Sequence, residues 1–186
     1  MIQNSGRSNY KNIMTQAKNL QTAQALLNEK ASGAIDDIIV DGSHLNEGKL
    51  KPNIKYKSGE NEYSYKTDGA GRISDATTND LKLKSHEGRL PHNPKTPDKQ
   101  VGDHAGHLFG DRFGGSPELD NLVSQASKVN LSEYKKLENM WAKALEQGKK
   151  VTVDIKINYP SGSSRPSSFE VKYTIDGIPS FKKINN

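Results

Sequence analysis

Asp103-His104-Ala105-Gly106-His107-Leu108, then Arg112-Phe113-Gly114-Gly115, then Asn121-Leu122-Val123-Ser124-Gln125, and finally Asn130, Tyr134, Leu137, Glu138 and Trp141 form the stretch on which the reading of this chain turns. Histidine, asparagine and glutamate can supply a general base, a neutral metal ligand and an acceptor for metal-bound water. Here they fall close together, with glycines around the first and a helical pattern carrying the last. The combination points to a metal-dependent phosphodiesterase site.

Each residue also has a plainer reading. His104 and His107 are three apart, which on a helix would place them on one face as metal ligands. Gly106 and Gly110 argue against a helix there. His107 alone is then the expected functional histidine, in a glycine-flexed strand or turn that lets a phosphate approach the backbone; otherwise it is a solvated loop residue. Asn130 is expected to cap a helix, with Glu133 in the capping-box position and Gly148 as the C-terminal stop. Asn130, Tyr134 and Glu138 recur at four-residue spacing, so they share one helix face over roughly 12 Å. Leu137, Trp141 and Leu145 flank that face, where a carboxylate is costly unless paired. Glu138 is therefore a site residue, a structural partner of a sheet Arg or Lys, or an exposed residue near Lys135.

Outward from this stretch the chain reads as sheet. After the helix, Val151, Val153, Ile155, Ile157 and Tyr159 alternate with polar residues, as do Phe169, Val171, Tyr173 and Ile175, across a loop at 160–167. That is a terminal hairpin with one buried face. Before it, Ile54 and Tyr56 face Tyr63 and Tyr65 across a Ser58-Gly59 turn. Asp68-Gly69 offers a second turn into Ile73 and on to Leu81 and Leu83, an antiparallel meander. Residues 85–102 hold Pro91, Pro94 and Pro97 and cannot continue a sheet. A long loop leading into a dense polar motif is a place where function concentrates.

Toward the N-terminus, Ile13, Met14, Ala17, Leu20, Ala23, Leu26 and Leu27 recur at helical spacing over residues 10–30. Ile35, Ile38, Ile39 and Val40 suit a strand or a helix turn, and residues 41–53 read as a linker. The fold class is α+β: a twisted antiparallel sheet with a helix on its face in a domain over 51–186, preceded by a helical extension and linker over 1–50.

Composition bounds the partners. The 186 residues are 32% hydrophobic with a net charge of +5, the pI is about 9.2 and the mean hydropathy −0.85. Such basicity suits a polyanion such as nucleic acid, though many other proteins share it. With no cysteine, disulfides and thiolate zinc sites are excluded. No run approaches the roughly 20 apolar residues of a membrane span. The N-terminus shows no basic segment followed by an apolar core, so no secretory signal peptide is expected.

The motif residues resemble the DNA/RNA non-specific endonuclease family, whose active site is a ββα-metal (His-Me) finger. That family's Asp-Arg-Gly-His motif corresponds here to Gly106-His107. Its second block runs Asn, two residues, Pro-Gln, four residues, Asn, three residues, Trp, three residues, Glu; the same spacing gives Asn121, Gln125, Asn130, Tyr134 and Glu138. The resemblance implies His107 as general base, Asn130 as ligand to Mg²⁺ (with Mn²⁺ as a substitute), and Glu138 as the carboxylate orienting a metal-bound water. Arg112, Asn121 and Gln125 would contact substrate. The chain departs from the pattern in three ways. The segment from Asp103 to His107 is one residue longer, His104 or Ala105 stands where the family has Arg, and Ser124 and Tyr134 replace Pro and Trp.

Gly106-His107-Leu108-Phe109-Gly110-Asp111-Arg112-Phe113-Gly114-Gly115, with a hairpin after the helix, is similar to nuclease domains that end bacterial polymorphic toxins of the LXG type. That likeness implies a secreted antibacterial DNase acting in the target-cell cytoplasm and neutralised by a cognate immunity protein, with helix 10–30 a remnant of the connector. An RNase of the same fold is the first rival. A basic nucleic-acid-binding module with a dead site is the second, although binding alone would not require histidine, asparagine and glutamate together.

Overall fold

A computed structural model describes residues 37–186. The helix expected over 10–30, and with it most of the extension assigned to 1–50, lies outside the described residues. The main compact unit spans Ile38–Asn186, so the expected boundary at residue 51 falls inside it. Residues 41–53, read as linker, hold instead a small hairpin of β2 (Leu45–Asn46) and β3 (Lys49–Leu50), while Ile38 and Ile39 form β1 (Ile38–Ile39). His44 shows why this segment is not a free tether. It is buried, stacked on Tyr56 at 4.5 Å, and 2.9 Å from the Asp120 carboxylate.

The meander follows as β4 (Lys55–Ser58), β5 (Tyr63–Thr67) and β6 (Ile73–Thr78). It ends there. Leu81 is buried as expected, but on a loop, and Leu83 is exposed. Gly59 in the β4–β5 turn has φ +82°, and a Cβ on it would stand 2.7 Å from the Gly114 carbonyl oxygen, so the turn needs glycine twice over. A separate two-stranded ribbon, β7 (Asp103–His107) with β8 (Leu122–Ala126), precedes the helix α1 (Tyr134–Glu146).

The chain closes with β9 (Val151–Asn158), β10 (Ser168–Ile175) and β11 (Ile178–Asn185). The expected terminal hairpin thus gains a third strand, turned at Asp176-Gly177 where both residues have positive φ (49° and 79°), the geometry an Asp-Gly pair favours between strands. The seven-stranded sheet runs β1-β4-β5-β6-β9-β10-β11, antiparallel except for the β1–β4 pair.

Alternation decides which face is covered. Val151, Val153, Ile155 and Ile157 of β9 point inward beside Phe169 and Val171 of β10 and Ala76 of β6. Helix α1 packs on this face through Tyr134, Leu137, Trp141 and Ala144. Trp141 has its ring 6.3 Å from Phe113 and 5.7 Å from Tyr173, and Tyr134 is edge-on to Phe169 at 5.9 Å. The helix is thereby clamped between the sheet and the turn after β7, which fixes its free face relative to the ribbon.

Residues 79–102 carry no strand or helix, yet they are tied down at several points. Lys84 pairs with Asp111 at 2.7 Å, His86 bridges Glu60 at 2.6 Å and Asp111 at 3.2 Å, and the Leu90 N–H donates to Asp111 at 3.0 Å. Burial works against the Asp111 charge, but these donors hold its carboxyl down at about 2. Farther on, Asn93 N–H donates to the Pro117 carbonyl, and Ser124 donates to that of Pro97. The proline-rich loop is thus laid beside the ribbon.

Candidate active site

The ribbon and helix make a ββα unit, and the cleft beside it has a volume of about 630 Å³. His107, Asn130, Glu138 and Arg112 all line it. Four of the six residues singled out in the sequence therefore come together. The other two do not.

Asn121 is fully buried. Its Oδ1 accepts from the Phe109 N–H (3.0 Å) and the Tyr65 hydroxyl (2.9 Å), and its Nδ2 donates to the carbonyls of Phe109 (2.9 Å) and Ser116 (2.8 Å). Both ends of the amide are used in stapling the turn after β7, so no capacity is left for a substrate. Gln125 is also fully buried, with neither amide atom hydrogen-bonded among the described residues. It lies against Gly106, where a Cβ would meet its Oε1 at 2.2 Å. Gly106 is thus small to admit Gln125, not to admit a phosphate. Both residues leave the substrate-contacting set.

Because residues 103–107 form a strand, His104 and His107 alternate to opposite faces rather than sharing one. His107 meets the ring of His92 edge-on at 5.2 Å. Burial first, then the positive fields of His92 and Arg89, push its imidazole down to about 4. It is neutral at physiological pH, with a nitrogen lone pair available. His104 meets Asn130 instead: the Asn130 Nδ2 donates to His104 Nδ1 at 3.1 Å.

Asn130 is not a helix cap. Helical backbone begins at Ser127, and Val129–Glu133 form a single π-turn leading into α1, with Tyr134 N–H reaching back five residues to the Val129 carbonyl. No side-chain cap bond is made there. Turns of this kind are often found at functional sites because they re-aim one side chain without ending the helix. Asn130 lies within this turn. The inserted residue also breaks the ideal spacing between Asn130 and Tyr134, whose hydroxyl is buried on the Leu108 carbonyl at 2.9 Å.

Glu138 is half-buried, its carboxylate facing Gly110. Burial pushes its carboxyl up to about 7, against the opposing pull of Arg112 and a hydrogen bond from the Gly110 N–H. A Cβ on Gly110 would stand 2.3 Å from Glu138 Oε1. No sheet Arg or Lys pairs with Glu138 among the described residues, so the structural pairing weighed from the sequence is absent there. Asp103, by contrast, is spent on structure: Arg165 grips it through Nε (2.7 Å) and Nη2 (2.9 Å), and the Arg165 bond foremost lowers its carboxyl.

The cleft wall holds residues that spacing alone did not single out. Arg89, His92 and Lys99 come from the proline-rich loop and Lys135 from α1, joining Arg112, which donates to Asn139 at 2.6 Å. The signal available was the density of basic residues in 85–102. Four cations along one cleft suit successive phosphates.

Hard divalent cations take oxygen ligands and keep much of their water. Among the described residues no group of three or more His, Cys, Asp or Glu forms a metal cluster. An amide oxygen from Asn130 in the same cleft as a half-buried, sparsely hydrogen-bonded Glu138 carboxylate nevertheless fits a hydrated cation that also binds phosphate.

Among families of known proteins, the model of "DNA/RNA non-specific endonuclease" matches residues 52–177. The type VII secretion system protein EssD of Staphylococcus aureus strain USA300 is 35% identical over 153 residues, covering 77% of this chain and 25% of the relative. Its counterparts in strains NCTC 8325 / PS 47 and Newman match at the same identity, with 25% and 24% of their length covered. The chain spans about a quarter of the length of these curated relatives. None of the helices among the described residues is long and apolar enough to cross a membrane.

Proposed function

The chain belongs to the DNA/RNA non-specific endonuclease family, and from that premise we propose that it is the Mg²⁺-dependent DNase domain of a secreted antibacterial toxin. The observation that carries this is one cleft joining a neutral His107, Asn130 and Glu138 under a row of cationic side chains.

The chemistry follows from these groups. Arg112, with Arg89, Lys99 and Lys135, holds the sugar–phosphate backbone. His107 takes a proton from a water molecule, whose oxygen attacks phosphorus in line as the bond to the leaving 3′ oxygen breaks. The leaving oxygen takes its proton from solvent. Asn130 would hold a divalent cation and Glu138 would help orient its hydration; when bound, the cation would supply positive charge to stabilise the phosphate and leaving oxygen. Burial of His107 keeps it unprotonated and ready to accept. The contacts fall on phosphate rather than on base edges, so sequence preference is weak.

The base acts on water, so the mechanism does not call for a 2′-hydroxyl, and DNA meets its requirements as fully as RNA. The relatives' type VII secretion names support export by that route, to act in the target-cell cytoplasm. A nuclease with little sequence preference also endangers its producer, which supports a cognate immunity protein as partner.

Purified protein incubated with plasmid DNA and with total RNA, in Mg²⁺, Mn²⁺ or EDTA, tests the proposal. Plasmid degradation that needs the cation and is lost in His107→Ala is expected. RNA degradation with intact plasmid would transfer the activity to RNA. Binding without cleavage of either would leave a nucleic-acid-binding module.

A further inference from the structure

An asparagine amide presents a cation with either an attractive oxygen or a repulsive NH₂ group, and a half-turn of its last torsion exchanges them. A useful ligand therefore needs something to choose the orientation. Asn130 sits in the π-turn rather than at a capped terminus, so no cap bond does this. Among the described residues its side chain makes one hydrogen bond, from Nδ2 to His104 Nδ1 at 3.1 Å.

His104 is well placed for the task. It lies in β7, held opposite Gln125 by the β7–β8 register, and so rides on a ladder rather than on a loop. Gln125 fills the space over Gly106 on the same face, limiting where the His104 ring can go. Both His104 and Asn130 line the cleft.

We propose that His104 is a positioning residue for Asn130: its Nδ1 accepts the Nδ2 hydrogen and so leaves Asn130 Oδ1 as the atom offered to the divalent cation. This rests on the cation role proposed above for Asn130. It assigns the two histidines of the strand separate tasks, His107 toward the water and His104 toward the amide. Nδ1 can accept only with the ring proton on Nε2, which fixes the tautomer.

The test uses Mn²⁺ binding to the metal-free protein without nucleic acid, read by electron paramagnetic resonance, beside plasmid cleavage across Mg²⁺ concentrations. Partners that orient metal ligands typically change affinity ~10–100-fold when removed. His104→Ala is expected to weaken Mn²⁺ binding by that factor and to raise the Mg²⁺ concentration for half-maximal cleavage in parallel. The rate at saturating Mg²⁺ should fall far less. His104→Asn places an acceptor oxygen near the position of Nδ1 and is expected to restore affinity to within a few-fold. Unfolding followed by circular dichroism shows that each variant is folded.

Wild-type affinity in a folded His104→Ala overturns the inference. So does an equal loss in His104→Asn, which would make ring bulk rather than the acceptor the relevant property. Asn130→Ala separates the levels: if it binds Mn²⁺ like the wild type, the cation role of Asn130 falls and the inference with it. If it loses binding while His104→Ala does not, only the inference falls.

Discussion

Gly110→Ala isolates Glu138 without touching it. The backbone at Gly110 (φ −64°, ψ 159°) is one that alanine adopts freely, so the substitution brings no backbone strain. Its Cβ would stand 2.3 Å from Glu138 Oε1, where ordinary contact begins at 3.4 Å, and so the carboxylate must retreat by about 1 Å. A shift of that size at a reacting centre can cost ~10²-fold in rate. The stability effect is smaller. Weakening the pull of the Gly110 N–H on the carboxylate costs at most about 1.5–3 kcal/mol, and the stiffer unfolded chain returns about 0.4–1 kcal/mol. Plasmid cleavage rates across Mg²⁺ concentrations, beside thermal unfolding, measure both. The expected result is a rate reduced about a hundredfold in a protein melting only a few degrees lower. A folded variant cutting at the wild-type rate would refute the reasoning, because Glu138 would then have been moved without consequence.

His107→Ala is expected to lower the hydrolysis rate ~10²–10⁴-fold with the unfolding temperature nearly unchanged, checked by plasmid cleavage and circular dichroism. Trp141→Ala, emptying a fully buried site between Phe113 and Tyr173, should cost about 3–5 kcal/mol of stability in urea unfolding. Glu138, raised in the fold from 4.5 to about 7, favours the folded state most below 4.5 and loses that contribution as pH rises through about 7. Glu138→Gln should therefore melt no lower than wild type at pH 8 in EDTA while losing Mg²⁺ affinity, and a clear loss of stability there would return Glu138 to a structural role. His107, lowered from 6.5 to about 4, has the opposite sign: its contribution is present above 6.5 and lost as pH falls through about 4, a component that should vanish from the acid-unfolding profile of a His107→Gln variant.

How much was legible in the sequence follows from what each signal reports. Apolar periodicity reports burial, so β4, β5, β9 and β10 and the body of α1 were read where they occur. It says little about a single inserted residue, so the π-turn at Val129–Glu133 was invisible and Asn130 passed for a cap. Polar spacing reports that a residue is used, not which way it faces. Asn121 and Gln125 kept the motif spacing but point into the interior. The proline-rich loop was recognised as functional ground, yet its contributions, Arg89, His92 and Lys99, depend on tethers to Asp111, Pro117 and Ser124 that are remote in sequence. Asp176-Gly177 did carry a hairpin signal. The strand it starts is almost wholly exposed, so there was little apolar pattern to confirm it.

The density of glycines and polar residues that marked this stretch has one physical cause. A Cβ on Gly106 would meet Gln125 Oε1 at 2.2 Å, and one on Gly110 would meet Glu138 Oε1 at 2.3 Å. One on Gly115 would meet the Phe109 carbonyl oxygen at 1.8 Å and Asn121 Nδ2 at 2.8 Å. Each glycine is the missing half of a polar side chain's seat. The three seats do different work: Gln125 is enclosed, Asn121 staples the backbone and Glu138 faces the cleft. They also differ in what can yield. At Gly110 the obstructing atom ends a side chain that can swing away, so substitution there strikes function first. At Gly115 the nearest atom is backbone, so substitution there strikes the fold. A polar motif that appears as one functional block in the sequence thus divides into a scaffold around Asn121 and Gln125 and a reactive rim of His107, Asn130 and Glu138. The glycines keep the two in register.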